Sequence, residues 1–273
     1  MVNCVIAQVD TLNIYINAGQ VQIIDSNKFG AKAFNKTPKF DFNAQVFRFH
    51  KGQSTFLRLH NGDSITHLID IESFTTQLKV VKNGVTGFSL EFKNTGAFRI
   101  FESSTEAEQL YLGLSGLFVV EDKQSGHFFW NLKEFQSDFN RNIAEGRSID
   151  MENYKPNYFL INGLSNPKID LDTLAKVRGN VGDTIQLYIL NSGNSVHSLH
   201  FHGYHVKVIY SSRRNDAIGW VKDTYALYKD EVVQFEIVPD KPGEYPVHDH
   251  NLVAISANLI YPNGMFTTLV IMP

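Results

Sequence analysis

Short runs of alternating apolar and polar residues recur along almost the whole chain and limit its possible folds more than any other feature. Examples are "STFLRLHNG", "FSLEFKNTG", "TIQLYILNSG" and "VVQFEIVPDKPG", each ending in turn-forming residues. Because alternate side chains of a strand point to opposite faces, these runs predict many antiparallel strands with one buried face each. Only "NLKEFQSDFNRNI" has a helical period, and we expect it to be a strand running into a loop or short helix. The chain is therefore predicted to be all-β.

An internal repeat divides the chain into two similar halves. The segment "STFLRLHNGDSITHLIDIESF" matches "GDTIQLYILNSGNSVHSLHFHGY", and "NTGAFRIFESS" matches "KPGEYPVHDHN". With 273 residues, 43% of them hydrophobic, the chain can bury two ordinary cores. We predict two sandwich domains, residues 1–124 and 125–273. The aligned pairs are His67 with His197, Asp70 with His200, Glu72 with His202, Phe101 with His248, and Ser103 with His250.

Two histidine clusters in the second half predict a metal site. They lie in "VHSLHFHGYH" and "YPVHDH". Side chains two apart on a strand share a face, so His200 and His202 point together, as do His248 and His250. If the two strands are neighbours, four imidazoles converge, a ligand set that suits copper, zinc, iron or nickel.

His197 is expected to point away from these four histidines, because it lies an odd number of residues from His200. Asp249, between the last two histidines, should also face inward. A buried carboxylate needs a partner, so a hydrogen-bonded pair of His197 and Asp249 is predicted. His205 is interpreted as an ordinary packed or exposed residue, with a role as a metal ligand as the alternative.

Composition excludes several classes of partner and site. The net charge is −3 and no basic run stands out, which argues against a nucleic-acid partner and favours a small molecule. Cys4 is the only cysteine, so a metal here must be held by nitrogen or oxygen. No apolar run is long enough to span a membrane.

The histidine segments resemble those of the multicopper oxidases and copper nitrite reductases. "HSLHFHG" is similar to their H-x-x-H-x-H-G segment, and "YPVHDHNLVAISANLIYPNGM" to their closing H-C-H segment, which ends in Gly-Met. "NYFLINGLSNP" is similar to the strand that opens their final domain. The resemblance implies two cupredoxin-like Greek-key β-sandwich domains in tandem, with copper as the cofactor; zinc is the alternative metal.

The resemblance also implies roles for individual residues. Asp249 stands where the family has the cysteine of its type 1 copper, and Ala254 lies near the place of a later type 1 histidine. The type 1 site, which relays electrons, is therefore expected to be degenerate. The implied metal ligands are His200 for type 2 copper, His202, His248 and His250 for type 3 copper, and His197 for the type 1 position.

The first half departs from the oxidases at the places of their other histidine pairs. "HLID" resembles a nitrite reductase segment whose aspartate handles protons, which implies that role for Asp70. Glu72 stands where that family has a copper ligand. Asp70 and Glu72 are thus the candidate catalytic residues, supplied by the first domain of the same or a neighbouring chain.

Three functions are open at this point. The first is a copper oxidoreductase that acts on a small oxidant such as dioxygen or nitrite without a type 1 relay. The second is a non-catalytic protein for copper storage, delivery or sensing. The third is a structural sandwich whose histidines are inert or bind zinc. We favour copper binding, with oxidoreductase activity ahead of binding alone. Kinship further implies a homotrimer and a periplasmic or extracellular location.

Overall fold

The computed structural model describes residues 10–104, 107–122 and 127–273 and contains two β-sandwiches. The prediction of an all-β chain is confirmed. The predicted boundary between residues 124 and 125 lies outside the described residues. The strands of the first sandwich are β1 (Asp10–Val21), β2 (Phe29–Asn35), β3 (Val46–His50), β4 (Ser54–Asn61), β5 (His67–Ile71), β6 (Leu78–Val80), β7 (Val85–Glu91), β8 (Gly96–Glu102) and β9 (Ser115–Glu121).

The second sandwich contains eleven strands in the described part of the chain, and the α-helix lies between its first two strands. They are β10 (His127–Phe135), β11 (Tyr158–Ile161), β12 (Arg178–Asn180), β13 (Ile185–Asn191), β14 (His197–Phe201), β15 (Val206–Ser211), β16 (Val221–Lys222), β17 (Thr224–Leu227), β18 (Val232–Ile237), β19 (Gly243–Asp249) and β20 (Phe266–Met272).

The two sandwiches have the same strand order, except that β15 and β16 extend one sheet of the second. In the first, the sheets run β2-β1-β4-β7 and β3-β9-β8-β5-β6; in the second, β11-β10-β13-β18-β15-β16 and β12-β20-β19-β14-β17. Strand β1 pairs in parallel with β4, and β10 likewise with β13. Strands β5 and β14 have the same alternation of buried and half-buried residues. The internal repeat found in the sequence is therefore a repeat of structure.

Each sandwich encloses its own apolar core. In the first, Phe47, Phe118 and Leu57 are buried between the two sheets. In the second, Trp130 and Phe201 stack with their ring centroids 6.2 Å apart. Burial on this scale is the main source of stability for sandwiches of this kind.

A helix follows the long strand β10, as the pattern of "NLKEFQSDFNRNI" predicted. Strand β10 ends at Phe135, and helix α1 covers Ser137–Ala144. Buried Asn140 donates hydrogen bonds to the carbonyls of Gly30 (3.0 Å) and Tyr111 (3.0 Å) of the first sandwich. The helix is thereby fastened across the junction of the two sandwiches. No helix among the described residues is long and apolar enough to cross a membrane.

The outer face of the sheet containing β8 and β9 packs against the second sandwich. Ala97, Leu117 and Val119 form one apolar cluster with Phe129 and Tyr188. At the edge of this cluster an ion pair joins Arg99 to Asp230. The equivalent face of the second sandwich, on β14 and β19, carries the histidines, and there His202 and His250 are exposed.

Candidate metal centre

Four histidines lie on one face where β14 and β19 run side by side. The two strands are antiparallel, and His200 is directly opposite His248. His202 and His250 follow the ends of these strands, where the N–H of His202 donates to Pro246 O (2.9 Å) and that of His250 to Ser198 O (2.7 Å). The two histidine clusters therefore lie next to each other, which is the condition that the predicted metal site required.

The imidazole ring of His200 lies close to those of the other three histidines. The ring centroid of His200 lies 4.6 Å from that of His202, 5.7 Å from that of His248 and 5.6 Å from that of His250. The Nε2 atoms of His202 and His248 are 2.9 Å apart. Phe266 of β20 stacks on His248 with the planes 10° apart and holds that ring in place.

Hydrogen bonds fix which nitrogen two of these rings present. His248 Nδ1 donates to the carbonyl of Asp249 (2.9 Å), so its Nε2 carries the lone pair and accepts from His202 Nε2. His200 Nδ1 is bonded to the hydroxyl of Thr224 (2.8 Å), which leaves its Nε2 available. Burial and the neighbouring His200 and His248 lower the pKa of His202, which favours its neutral, metal-binding form.

The donor set fits a metal that prefers imidazole. Two nitrogens that bind one ion at about 2.0–2.1 Å and at nearly a right angle lie about 2.9 Å apart, which is the distance between His202 Nε2 and His248 Nε2. Within the described ranges, however, no group of three or more His, Cys, Asp or Glu side chains is arranged to hold an ion. Here the two nitrogens are hydrogen-bonded to each other, at a separation that two ligands of one ion can also have.

His197 lies on the opposite face, inside the sandwich. It is 1% exposed, its Nδ1 is 2.6 Å from Asp249 Oδ2, and its Nε2 is 3.2 Å from Glu134 Oε2. Burial alone would lower the pKa of His197, but the two carboxylates outweigh it and raise the pKa to about 9. The predicted pair with Asp249 is present, and His197 is separated from the four clustered histidines.

The first sandwich contains the same arrangement at the equivalent position. His67 is fully buried; its Nδ1 is hydrogen-bonded to Glu102, and its Nε2 lies 3.0 Å from Asp63 Oδ2. Burial would lower the pKa of His67, but Asp63 and Glu102 raise it. Lys32 pairs with Asp63 at 2.6 Å. Both sandwiches therefore hold a buried histidine between two carboxylates.

The two carboxylates predicted to be catalytic lie away from the four histidines. Asp70 is half-buried on β5, opposite Phe101. Glu72 Oε2 accepts a hydrogen bond from the N–H of Arg99 (3.0 Å), and burial raises the pKa of Glu72. Among the described residues, neither carboxylate has a hydrogen bond or ion pair with any of the four histidines. The same chain does not bring the predicted carboxylates and histidines together.

Sequence reasoning did not identify several residues that contact these histidines, namely Lys32, Asp63, Glu102, Glu134 and Thr224. Glu102 could have been found, because the internal repeat aligns it with Asp249. Thr224 and Glu134 carry no such indication, since they come from strands β17 and β10, which lie far from the histidine motifs in the sequence.

Comparison with known proteins agrees with this geometry. Residues 141–270 match the family model described as multicopper oxidase. The blue copper oxidase from Nitrosomonas europaea has a similar structure, with a TM-score of 0.81, 17% identity, and coverage of 97% of this chain and 86% of that one. The copper nitrite reductase from the same organism has a TM-score of 0.75, 15% identity, and coverage of 97% and 94%. The comparison with curated protein sequences gave no match.

The resemblance to the multicopper oxidase and copper nitrite reductase superfamily is confirmed. The two sandwiches are accordingly cupredoxin-like, as the fold prediction stated. Copper is the cofactor that the multicopper oxidase match implies, in agreement with the imidazole ligand set. The family match and the two similar structures support a relationship of this chain to copper oxidoreductases. The matched segment contains the four clustered histidines and His197.

Proposed function

We propose that this chain is a copper-binding oxidoreductase whose metal site is formed by His200, His202, His248 and His250. The observation that carries the proposal is the 2.9 Å separation of His202 Nε2 and His248 Nε2 on an exposed face. Bound copper would supply one-electron redox chemistry for a small oxidant such as dioxygen or nitrite.

The surrounding residues prepare this face for a metal. Thr224 and the carbonyl of Asp249 hold the Nδ1 atoms of His200 and His248, so both rings are oriented before any ion arrives. Such partners in the second layer of a metal site typically raise affinity 10- to 100-fold. Phe266 covers one side of His248 and keeps water from that ring.

The proposed copper site operates without a type 1 relay. Asp249 and Glu102 occupy the equivalent positions of the two sandwiches, and each is bonded to a buried histidine. The reductant must therefore reach the clustered histidines directly.

Storage, delivery or sensing of copper is the second candidate function. The specific observation in its favour is that both relay positions hold carboxylates already committed to His67 and His197. Such a protein would bind copper without needing electrons to arrive.

A second copy of the chain would complete the site. The loop between β19 and β20 exposes Leu252 (72%), two residues after His250, and Leu259 (87%), and exposed apolar groups can mark interaction surfaces. The equivalent face of the first sandwich is covered by its own partner sandwich. A head-to-tail contact repeated between copies gives a ring when the rotation closes, and the predicted homotrimer would be such a ring. Asp70 of a neighbouring copy then becomes the candidate proton donor, because Glu72 is bonded to Arg99. The periplasmic or extracellular location rests on kinship alone.

Copper loading followed by electron paramagnetic resonance and turnover assays tests the proposal. Wild type, His200→Ala and His248→Ala should be compared with His205→Ala, an exposed histidine of the same segment. We expect stoichiometric copper, and consumption of dioxygen or nitrite with a chemical reductant, in wild type and His205→Ala only.

The outcomes separate the candidates. Stoichiometric copper that depends on His200 and His248 but gives no turnover favours storage. Absence of bound copper, or binding that survives both substitutions, contradicts the metal site itself. Sedimentation of the loaded protein as a monomer contradicts the shared site.

A further inference from the structure

The loop that joins β19 to β20 begins and ends at the proposed copper site. It starts with His250, whose ring centroid lies 5.6 Å from that of His200. It ends just before Phe266, which stacks on His248. The position of this loop therefore affects two side chains of the site.

The tip of the loop is a tight turn with a strained leucine. Ala257 and Ile260 exchange both of their backbone hydrogen bonds (3.1 and 2.9 Å), and Asn258 and Leu259 between them have φ of +48° and +66°. Two positive φ values are typical of a type I′ turn, which favours Asn-Gly because glycine adopts this conformation without steric cost. Leu259 is 87% exposed, so packing does not offset its strain. Such a conformation persists only where its surroundings hold it.

One of the groups that hold this turn comes from the first sandwich. Within the second sandwich, the N–H of Asn258 donates to Asn157 O (2.5 Å), and Asn157 Nδ2 donates to Asn258 Oδ1 (3.1 Å). Asn258 Nδ2 donates to Oδ2 of Asp25 (2.8 Å), which lies between β1 and β2. The turn is thus fastened to both sandwiches.

The Asp25 carboxylate is itself fixed in place. The hydroxyl of Tyr158, a residue buried where the two sandwiches meet, lies 2.8 and 2.7 Å from its two oxygens, and the N–H of Asn27 donates to Oδ1 (2.9 Å). Burial would raise the pKa of Asp25, but the hydrogen bonds from Tyr158 and Asn258 outweigh it and lower the pKa. Asp25 is therefore ionised, and hydrogen bonds to a charged acceptor are stronger than those to a neutral one.

A buried segment connects the turn with the base of the loop. Ala254 and Ala257 are fully buried, and the N–H of Met265 donates to Ala254 O (2.8 Å). Met265 directly precedes Phe266 in the chain. Among the described residues the ring of His250 has no hydrogen-bond partner, so the backbone of the loop sets its place. A shift of the turn would therefore move both ends of the loop.

We propose that Asp25 is a positioning residue for the histidine site. By holding Asn258 it keeps the strained turn closed, and through the loop it sets the places of His250 and Phe266. The first sandwich, which lacks the clustered histidines, thus takes part in the site. The effect on copper rests on the proposed function, whereas the control of His250 requires no metal.

Amide hydrogen exchange of the metal-free full chain, followed by NMR, tests the proposal. Asp25→Ala removes the acceptor, and Asn258→Asp places a second carboxylate against Asp25. In both variants we expect the N–H groups of Ile260 and His250 to exchange at least about tenfold faster than in wild type. Asp41→Ala is the matched control, because Asp41 Oδ1 accepts from the N–H two residues ahead (3.0 Å), as Asp25 does, but in another loop of the first sandwich.

A second substitution provides a rescue that a general loss of stability would not show. Glycine closes a type I′ turn without strain, so adding Leu259→Gly to Asp25→Ala should return the exchange of His250 to within about threefold of wild type. In the copper-loaded protein, Asp25→Ala should weaken binding about three- to tenfold, less than the 10- to 100-fold typical of a direct partner of a ligand. The same addition should restore the affinity.

Wild-type exchange at His250 in Asp25→Ala would overturn the proposal, even if Ile260 exchanged faster, because the turn would then not set the place of the histidine. Equal acceleration in Asp41→Ala or failure of the rescue would overturn it as well. Asn258 is half-buried on a surface turn, so Asn258→Asp decides the question if Asp25→Ala does not fold. Failure of wild type to bind copper would contradict the proposed function, while exchange at His250 would still decide the role of Asp25.

Discussion

Replacing Asp249 by asparagine should change how the stability of the second sandwich depends on pH. The pKa of His197 is raised from 6.5 to about 9, so the folded protein holds this proton more tightly than the unfolded chain. The resulting stabilisation is fully present below pH 6.5 and is lost as the pH rises through about 9. At roughly 1.4 kcal/mol per pKa unit, the shift is worth about 3 kcal/mol of unfolding free energy.

Lys133 makes a comparison of variants necessary. Burial lowers its pKa from 10.5 to about 8, so its contribution has the opposite sign and stability rises above that pH. The wild-type profile alone therefore mixes two opposing titrations. Asp249→Asn leaves Lys133 unchanged and leaves His197 with Glu134. We expect the substitution to remove at least half of the His197 contribution, about 1.5 kcal/mol.

Urea unfolding of the metal-free protein, followed by tryptophan fluorescence, measures this effect. Both tryptophans, Trp130 and Trp220, lie in the second sandwich, so the signal reports that sandwich alone. The difference in unfolding free energy between wild type and Asp249→Asn should shrink by about 1.5 kcal/mol between pH 6.5 and about pH 9.5. Glu102→Gln, the equivalent change in the first sandwich, should leave the tryptophan-detected pH profile unaltered. A wild-type-to-variant difference that is constant with pH would refute the assignment of this charge to His197.

Thr224→Val should weaken copper binding about 10- to 100-fold in competitive titration, because it removes the partner of His200 Nδ1; equal affinity in Thr224→Val and Thr224→Ser would contradict this. Gly203→Ala should cost more than about 1 kcal/mol in thermal unfolding, since Gly203 has φ +76° and an added Cβ would lie 2.3 Å from Tyr245 Cδ1. An unchanged melting temperature would show that the turn adapts. Phe118→Ala should destabilise the first sandwich by about 3–5 kcal/mol in circular dichroism, and a loss below about 1 kcal/mol would disprove its place in a tightly packed core.

The alternating strands were predictable because each buries only one face. The alternation in β14 places His197 inside the sandwich and His200 on its outer face, as expected for two residues three apart on a strand. The sequence left open whether the two histidine strands are neighbours, and the pairing of β14 with β19 places His200 opposite His248. Strand β10 gave no such information, because it is buried on both faces from Phe129 to Phe135, and parity cannot then show where Glu134 points.

Other parts of the site depend on tertiary packing that a sequence does not display. Thr224 meets His200 only because the short edge strand β17 pairs with β14. The position of Glu72 is set by Arg99, whose side chain crosses to Asp230 of the other sandwich. A sequence pattern predicts which side of its own strand Glu72 occupies, but not that another sandwich covers that side.

The unequal covering of the two equivalent faces means that the two halves of the chain are no longer interchangeable. Phe101 and His248 occupy matching positions, yet the first lines the junction between the sandwiches and the second lies among the clustered histidines. Exchanging them would place an imidazole inside the junction and a phenyl ring on the open face. Each half of the repeat can therefore accept substitutions that would damage the other.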